Sequence, residues 1–156
     1  MRNVATSYER TGPFWDAANG RTPMPHAAAT YGLEVIDADI EHGKSELAFM
    51  ASDDFITPMG DVFGGFLAAM LYDTVGRCLL TGLPSDKFIE TLSHSTSFLR
   101  PVLPGQISAK GRIVHRDGEL AFLEATLYNQ NGDSIAIATS TIRIVGLAER
   151  AVRIGR

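Results

Sequence analysis

Only one cysteine, Cys78, occurs in the 156 residues, so no internal disulfide can form, which fits a reducing compartment. Its place in an apolar stretch marks it as a buried filler rather than a nucleophile. Long apolar runs are also missing. The longest is about ten residues around Phe63–Tyr72, short of the ~20 that a membrane helix needs. The first residues mix Arg2, Glu9 and Arg10 with polar side chains and show no apolar signal core. Basic blocks are absent: 14 Lys and Arg are scattered among 18 Asp and Glu for a net charge of −4, which argues against a nucleic-acid partner. No glycine loop is followed by Lys, and no dinucleotide fingerprint occurs. His26, His42, His94 and His115 lie too far apart for a metal pair. These absences lead us to expect a cytoplasmic protein with no nucleic-acid or membrane partner, no metal and no cofactor.

What is present is ordinary for a globular chain: 45% hydrophobic and 21% charged residues. The length suits one domain over residues 1–156, with loosely ordered tails at 1–12 and 147–156. Prolines 13, 23 and 25 leave room for short helices near 14–19 and 26–31. Strand patterns follow at 33–40 and 45–51, with a turn at Gly43. An apolar helix then spans about 61–80, and Gly82, Pro84 and Ser85 end it. Strands are expected at 88–99, 106–115, 119–128 and 134–145, with hairpin turns at Asp117-Gly118 and Asn131-Gly132. The first of these is expected to need positive φ at both turn positions. The fold class is therefore α+β: an antiparallel sheet wrapped around one long central helix. Apolar Leu120 and Phe122 face away from Ala121, Leu123, Ala125 and Leu127, so the outer sheet face invites a second subunit.

The segment Gly60-Asp61-Val62-Phe63-Gly64-Gly65 opens that helix, and Asp73 lies about two and a half turns inside it. Glycines let the backbone approach a ligand, and the first amides of a helix have no internal acceptor. A carboxylate in an apolar helix is costly unless paired, hydrated or used. Amide donors and a carboxylate are together what hydrolysis of an activated acyl group needs. Asp73 can activate or orient water, or attack directly; the plainer reading is an ion pair with Arg77, one turn on. Gly64 and Gly65 can hold an oxyanion, or simply allow close packing. Asp61 reads as a first-turn helix residue favoured by the dipole. His94 sits between Ser93 and Ser95 without a nucleophile-elbow pattern, so a serine–histidine pair there is not expected.

With these motifs the chain resembles the hotdog-fold thioesterases, in particular the phenylacetic-acid-pathway-like acyl-CoA thioesterases. The likeness covers about residues 13–145. It rests on Gly60-x-x-x-Gly64-Gly65, Asp73-Thr74-x-Gly76, Phe98-Leu99-Arg100-Pro101 with Gly105, and the lead-in Gly20, Pro23-x-Pro25 and Gly32. The resemblance implies a hotdog fold, a homodimer joined sheet to sheet that can pair again into a tetramer, and an active site at the subunit interface. It also implies coenzyme A as part of the substrate. The family pattern Asn-x-x-Gly-x-x-His-Gly-Gly has Thr57 here in place of Asn and Phe63 in place of His. Tyr72 stands where the usual helix acid lies, and Asp73 follows it.

The site residues expected are Asp73, Gly65 and Gly64 for catalysis, and Thr57, Phe63, Phe66, Tyr72 and Arg100 for substrate. Tyr72 shares a face with Gly65, Ala68, Ala69 and Gly76, where it would fill space. Phe63 and Phe66 would line an acyl pocket or the core, and Arg100 would meet a coenzyme A phosphate or solvent. The reading is an acyl-CoA thioesterase acting on a medium-chain or aromatic acyl group by water attack at a dimer-interface site. The alternative is a non-catalytic acyl-CoA-binding protein, a sensor or carrier. A dehydratase on the same fold is weaker, because its characteristic histidine is not where that chemistry needs it.

Overall fold

The computed structural model describes residues 12–156. Two short helices lead in, α1 (Pro13–Ala18) and α2 (His26–Thr30), followed by strands β1 (Glu34–Asp39) and β2 (Lys44–Ala51). A 3-10 turn over Asp53–Phe55 precedes the long helix α3 (Gly64–Leu80). Strands β3 (Lys87–Phe98), β4 (Gly105–Asp117), β5 (Leu120–Tyr128) and β6 (Ser134–Gly146) come next, and helix α4 (Leu147–Arg153) follows. The six strands form one antiparallel sheet in the order β1-β2-β4-β5-β6-β3. The long helix packs across it, as the hotdog reading expects.

Period-two alternation sets which side of the sheet meets the helix. Ala121, Leu123, Ala125 and Leu127 of β5 are buried, while Leu120 and Phe122 stay partly open on the far face. From α3, Leu67, Met70, Leu71, Val75 and Leu79 enter the core against Leu47, Phe49, Ile107, Ile135 and Ile142. Each such side chain contributes roughly 1.5–3 kcal/mol on burial. Helix and sheet approach closely at Gly111 of β4, where an added Cβ would lie 3.1 Å from Thr74 Cγ2 and 3.3 Å from the Thr74 carbonyl oxygen.

Three expectations change. Helix α3 starts at Gly64, and Asp61 belongs to the loop before it: the Thr57 amide donates to the Asp61 carbonyl at 2.7 Å and the Thr57 hydroxyl donates to the Asp61 carboxylate. Asp61 is thus spent on fastening the loop rather than on the helix dipole. The first hairpin turns on Gly118-Glu119, since Asp117 pairs with Leu120, and only Gly118 takes positive φ, 59°. Residues 147–156, expected as a tail, carry α4, whose Leu147 amide donates to the Asp86 carbonyl at 2.8 Å. The remaining expected tail, 1–12, lies outside the described residues except for Gly12.

Candidate active site

The N-terminal end of α3 is held by the segments around it. The Phe63 amide donates to the Phe55 carbonyl at 2.7 Å, and the Val62 amide to the Val102 carbonyl at 2.8 Å. Phe63 caps the helix in an extended conformation, and the Phe66 amide returns to the Phe63 carbonyl at 3.0 Å. The amides of Gly64 and Gly65 have no acceptor among the described residues. They remain free donors at the positive end of a 17-residue helix dipole. The glycines also serve packing. A Cβ on Gly65 would fall 2.6 Å from Phe63 Cε1, and one on Gly64 would fall 3.2 Å from the Phe98 ring. Both roles expected of these residues are therefore compatible.

Around this helix mouth the sequence-selected residues divide. Phe66 stacks on Phe55 at 4.1 Å and packs against the core, while Phe63 meets Phe66 edge-on and leaves more than half its surface open. Thr57 uses its hydroxyl on Asp61 and accepts from the Met59 amide at 3.2 Å. Arg100 lies at the same end of the molecule and faces Asp133 at 3.5 Å, with both side chains about half exposed.

Asp73 and Tyr72 lie elsewhere. They line a cavity of about 340 Å³ between α1, the C-terminal half of α3, the start of β3 and α4. The Asp73 carboxylate is 2.9 Å from Arg77 Nε. The pair is not locked in bulk solvent, since the Asp73 and Arg77 side chains are 20% and 10% exposed. Burial raises the Asp73 carboxyl above the usual aspartate range, and the Arg77 guanidinium offsets part of that rise. Tyr72 does not fill internal space as expected. It is half exposed, with its ring edge-on to His94 at 5.4 Å. His94 in turn shares a hydrogen bond of 2.6 Å between Nδ1 and Ser140 Oγ, and burial lowers its pKa. Cys78 is buried, donates to the Gly43 carbonyl and is pushed up to about 11 by burial, as suits a filler.

Sequence reasoning missed part of the cavity wall. Phe14 and Trp15 of α1 line it, and the Trp15 indole donates to the Thr81 carbonyl at 3.2 Å. Tyr31, the C-terminal cap of α2, does not line the cavity but was missed as a neighbour of Asp73. Its phenol is raised by burial first and by the Asp73 carboxylate second, with Arg77 pulling the other way. The adjacent aromatics Phe14-Trp15 in an otherwise polar lead-in were the one available signal; Tyr31 had none. Among the described residues no group of three His, Cys, Asp or Glu side chains converges.

Distance decides what a single chain can do. Eight residues separate Gly65 from Asp73, and at about 1.5 Å of rise each they stand about 12 Å apart along α3. The two groups thus stand more than two turns apart on the helix of one chain.

Residues 54–143 match the family described as acyl-CoA thioesterase N-terminal domain. A phenylacetic acid degradation-related protein of Ralstonia eutropha JMP134 superimposes with a TM-score of 0.80 at 32% identity, over 83% of this chain and 98% of its own. The PaaI protein of the Escherichia coli phenylacetic acid degradation operon gives 0.74 at 16% identity, over 85% and 94%. A Haemophilus influenzae thioesterase gives 0.75 at 15% identity, over 90% and 95%. The last two share the fold. No curated protein matches the chain significantly.

Proposed function

Because the chain belongs to the acyl-CoA thioesterase family, and so is a thioester hydrolase, we propose that it cleaves a medium-chain or aromatic acyl-CoA at a site completed by two copies of the chain. The 12 Å between the free glycine amides and Asp73 is the observation that carries this reading. Two α3 helices related by a twofold axis can bring the amides of one copy to the carboxylate of the other. Strand β3 supports the pairing: it is a 12-residue edge strand with one flank unpaired. A second pairing of dimers into a tetramer is compatible with the open apolar residues Leu120 and Phe122 of the outer face.

The acyl chain enters the cavity among Phe14, Trp15 and Leu80, whose lining is mostly apolar. A Gly65 or Gly64 amide polarises the thioester oxygen, and one such donor is worth about 3 kcal/mol in the transition state. Asp73 takes a proton from water as the water oxygen bonds to the carbonyl carbon. Collapse of the tetrahedral species breaks the C–S bond, and the departing thiolate recovers the proton as free thiol. These steps call for no metal or cofactor. Phe63, Phe66 and Tyr72 flank the path of the substrate, Thr57 steadies the loop before the glycines, and Arg100 is placed to meet a coenzyme A phosphate at the helix mouth. A carrier or sensor would need the cavity but not the half-hidden carboxylate in its wall. No helix among the described residues is long and apolar enough to cross a membrane, and we assign the protein to the cytoplasm with no nucleic-acid partner.

Thiol release from a panel of acyl-CoAs tests the reading. Asp73→Asn is expected to lower kcat/KM by about 100-fold or more. Unchanged hydrolysis in that variant would overturn it.

A further inference from the structure

One cation in the wall of the Asp73 cavity has Asp73 as its single ionic partner among the described residues. Arg77 is 8% exposed, and its Nε is sealed from solvent with no aligned acceptor, although the Asp73 carboxylate lies 2.9 Å away. Its guanidinium carbon stands 5.7 Å from the centre of the Phe14 ring. Among the described residues no carbonyl, hydroxyl or second carboxylate accepts from the guanidinium. A guanidinium offers five N–H donors in a planar fork, and apart from Asp73 no acceptor among the described residues faces this one.

The charge around it has a consistent sign. Lys87 and Arg150 also line the cavity, and Asp73 is the one carboxylate among its described lining residues. Three cations and one anion thus border a space walled mostly by apolar side chains, with Ser85 and Thr91 the polar exceptions, and Arg150 also reaches the Glu90 carboxylate at 3.8 Å. A plain hydrocarbon chain would occupy the apolar part and leave Arg77 as it stands. A chain ending in a carboxylate would occupy the same part and also accept from the fork, the geometry guanidinium groups recognise best.

We infer that the acyl group selected by this site bears a carboxylate at the end away from the thioester, and that Arg77 reads it. The substrate class is then the monothioester of a dicarboxylic acid. This rests on the thioesterase reading above and narrows its acyl group. The reaction is unchanged: water adds, the C–S bond breaks, and a dicarboxylate and a thiol leave.

Adipyl-CoA, hexanoyl-CoA and ω-hydroxyhexanoyl-CoA share a carbon count and differ only at the far end. With the wild-type protein, kcat/KM for adipyl-CoA is expected to exceed that for hexanoyl-CoA by on the order of 100-fold, with the hydroxyl compound near hexanoyl-CoA. Adipate should inhibit more tightly than hexanoate. Arg77→Met should collapse the adipyl-to-hexanoyl ratio to about one, and Arg77→Lys should keep part of it. Should Arg77→Met fail to fold, the wild-type ratio and the inhibition by adipate still decide. Equal or faster hydrolysis of hexanoyl-CoA overturns the inference, as does an intact ratio in Arg77→Met or a hydroxyl compound that matches adipyl-CoA. Hydrolysis of hexanoyl-CoA without preference refutes the carboxylate alone, whereas hydrolysis of no acyl-CoA refutes the thioesterase reading itself.

Discussion

The Nε of Arg77 lies 2.9 Å from the Asp73 carboxylate across one turn of α3, and both side chains border the same cavity. The pair answers two questions at once. It keeps a partly buried acid compensated, and it sets a cation beside the carboxylate proposed to activate water. Ion pairs on helix surfaces serve mainly as weak braces; here burial makes the partner a control on acidity.

A pH profile reads that control. Burial raises the Asp73 pKa, so kcat/KM should climb with pH through a midpoint above the ordinary aspartate value of 3.8. Arg77→Met removes the compensating charge and should move the midpoint higher. The stability sign is fixed too. The folded chain holds this proton more tightly than the unfolded one, so the stabilising contribution is fully present below the unfolded value and is lost as pH rises through the folded one. Rate profiles of both proteins on one acyl-CoA check the order of the midpoints.

Subunit complementation addresses the 12 Å gap. Asp73→Asn and Gly65→Val should each be nearly inactive, the second because a side chain at residue 65 must displace the Phe63 ring and crowds the free amides. Refolded together in equal amounts, half of the dimers become mixed, and each mixed dimer regains one intact site. Activity should then recover to about a quarter of wild type. A mixture as inactive as its parents would count against a shared site.

The β3 edge can be challenged directly. Leu92 is half exposed at a bulge in that strand, on the sheet's unpaired side. Leu92→Asp should weaken self-association, seen as a smaller mass by light scattering, and turnover per chain should fall with it.

Gly111→Ala tests the fold rather than the chemistry. Its methyl would meet Thr74 Cγ2 at 3.1 Å, Ser45 Oγ at 3.2 Å and the Thr74 carbonyl at 3.3 Å, and the helix backbone cannot yield as a side chain would. Overpacking of this kind costs about 1–3 kcal/mol, measurable by urea denaturation.

Alternation in Ala121–Leu127 and the apolar run into Asp73 made the sheet and its helix readable, because both patterns report burial on one face. The partners of Asp73 were less so. Arg77 was legible from its helical spacing, but its place in a cavity depends on α1, which reaches α3 through Trp15 and Thr81, 66 positions apart. Tyr31 nears Asp73 only after α2 and α3 have packed. Asp61 looked like a helix residue because its bond to Thr57 is a property of the closed loop and not of the local sequence. The α4 helix went unread, since seven residues with no buried side chain leave too little pattern.

The span shared with the thioesterase family, 54–143, contains the glycines and Asp73 but neither α1 nor α4. Part of the cavity wall, the α1 and α4 residues, thus lies outside the stretch that carries the glycines, Asp73 and Arg77. A lineage could re-bore the chamber by exchanging a six-residue lead-in helix at Phe14 and Trp15, while the groups that break the bond stay untouched.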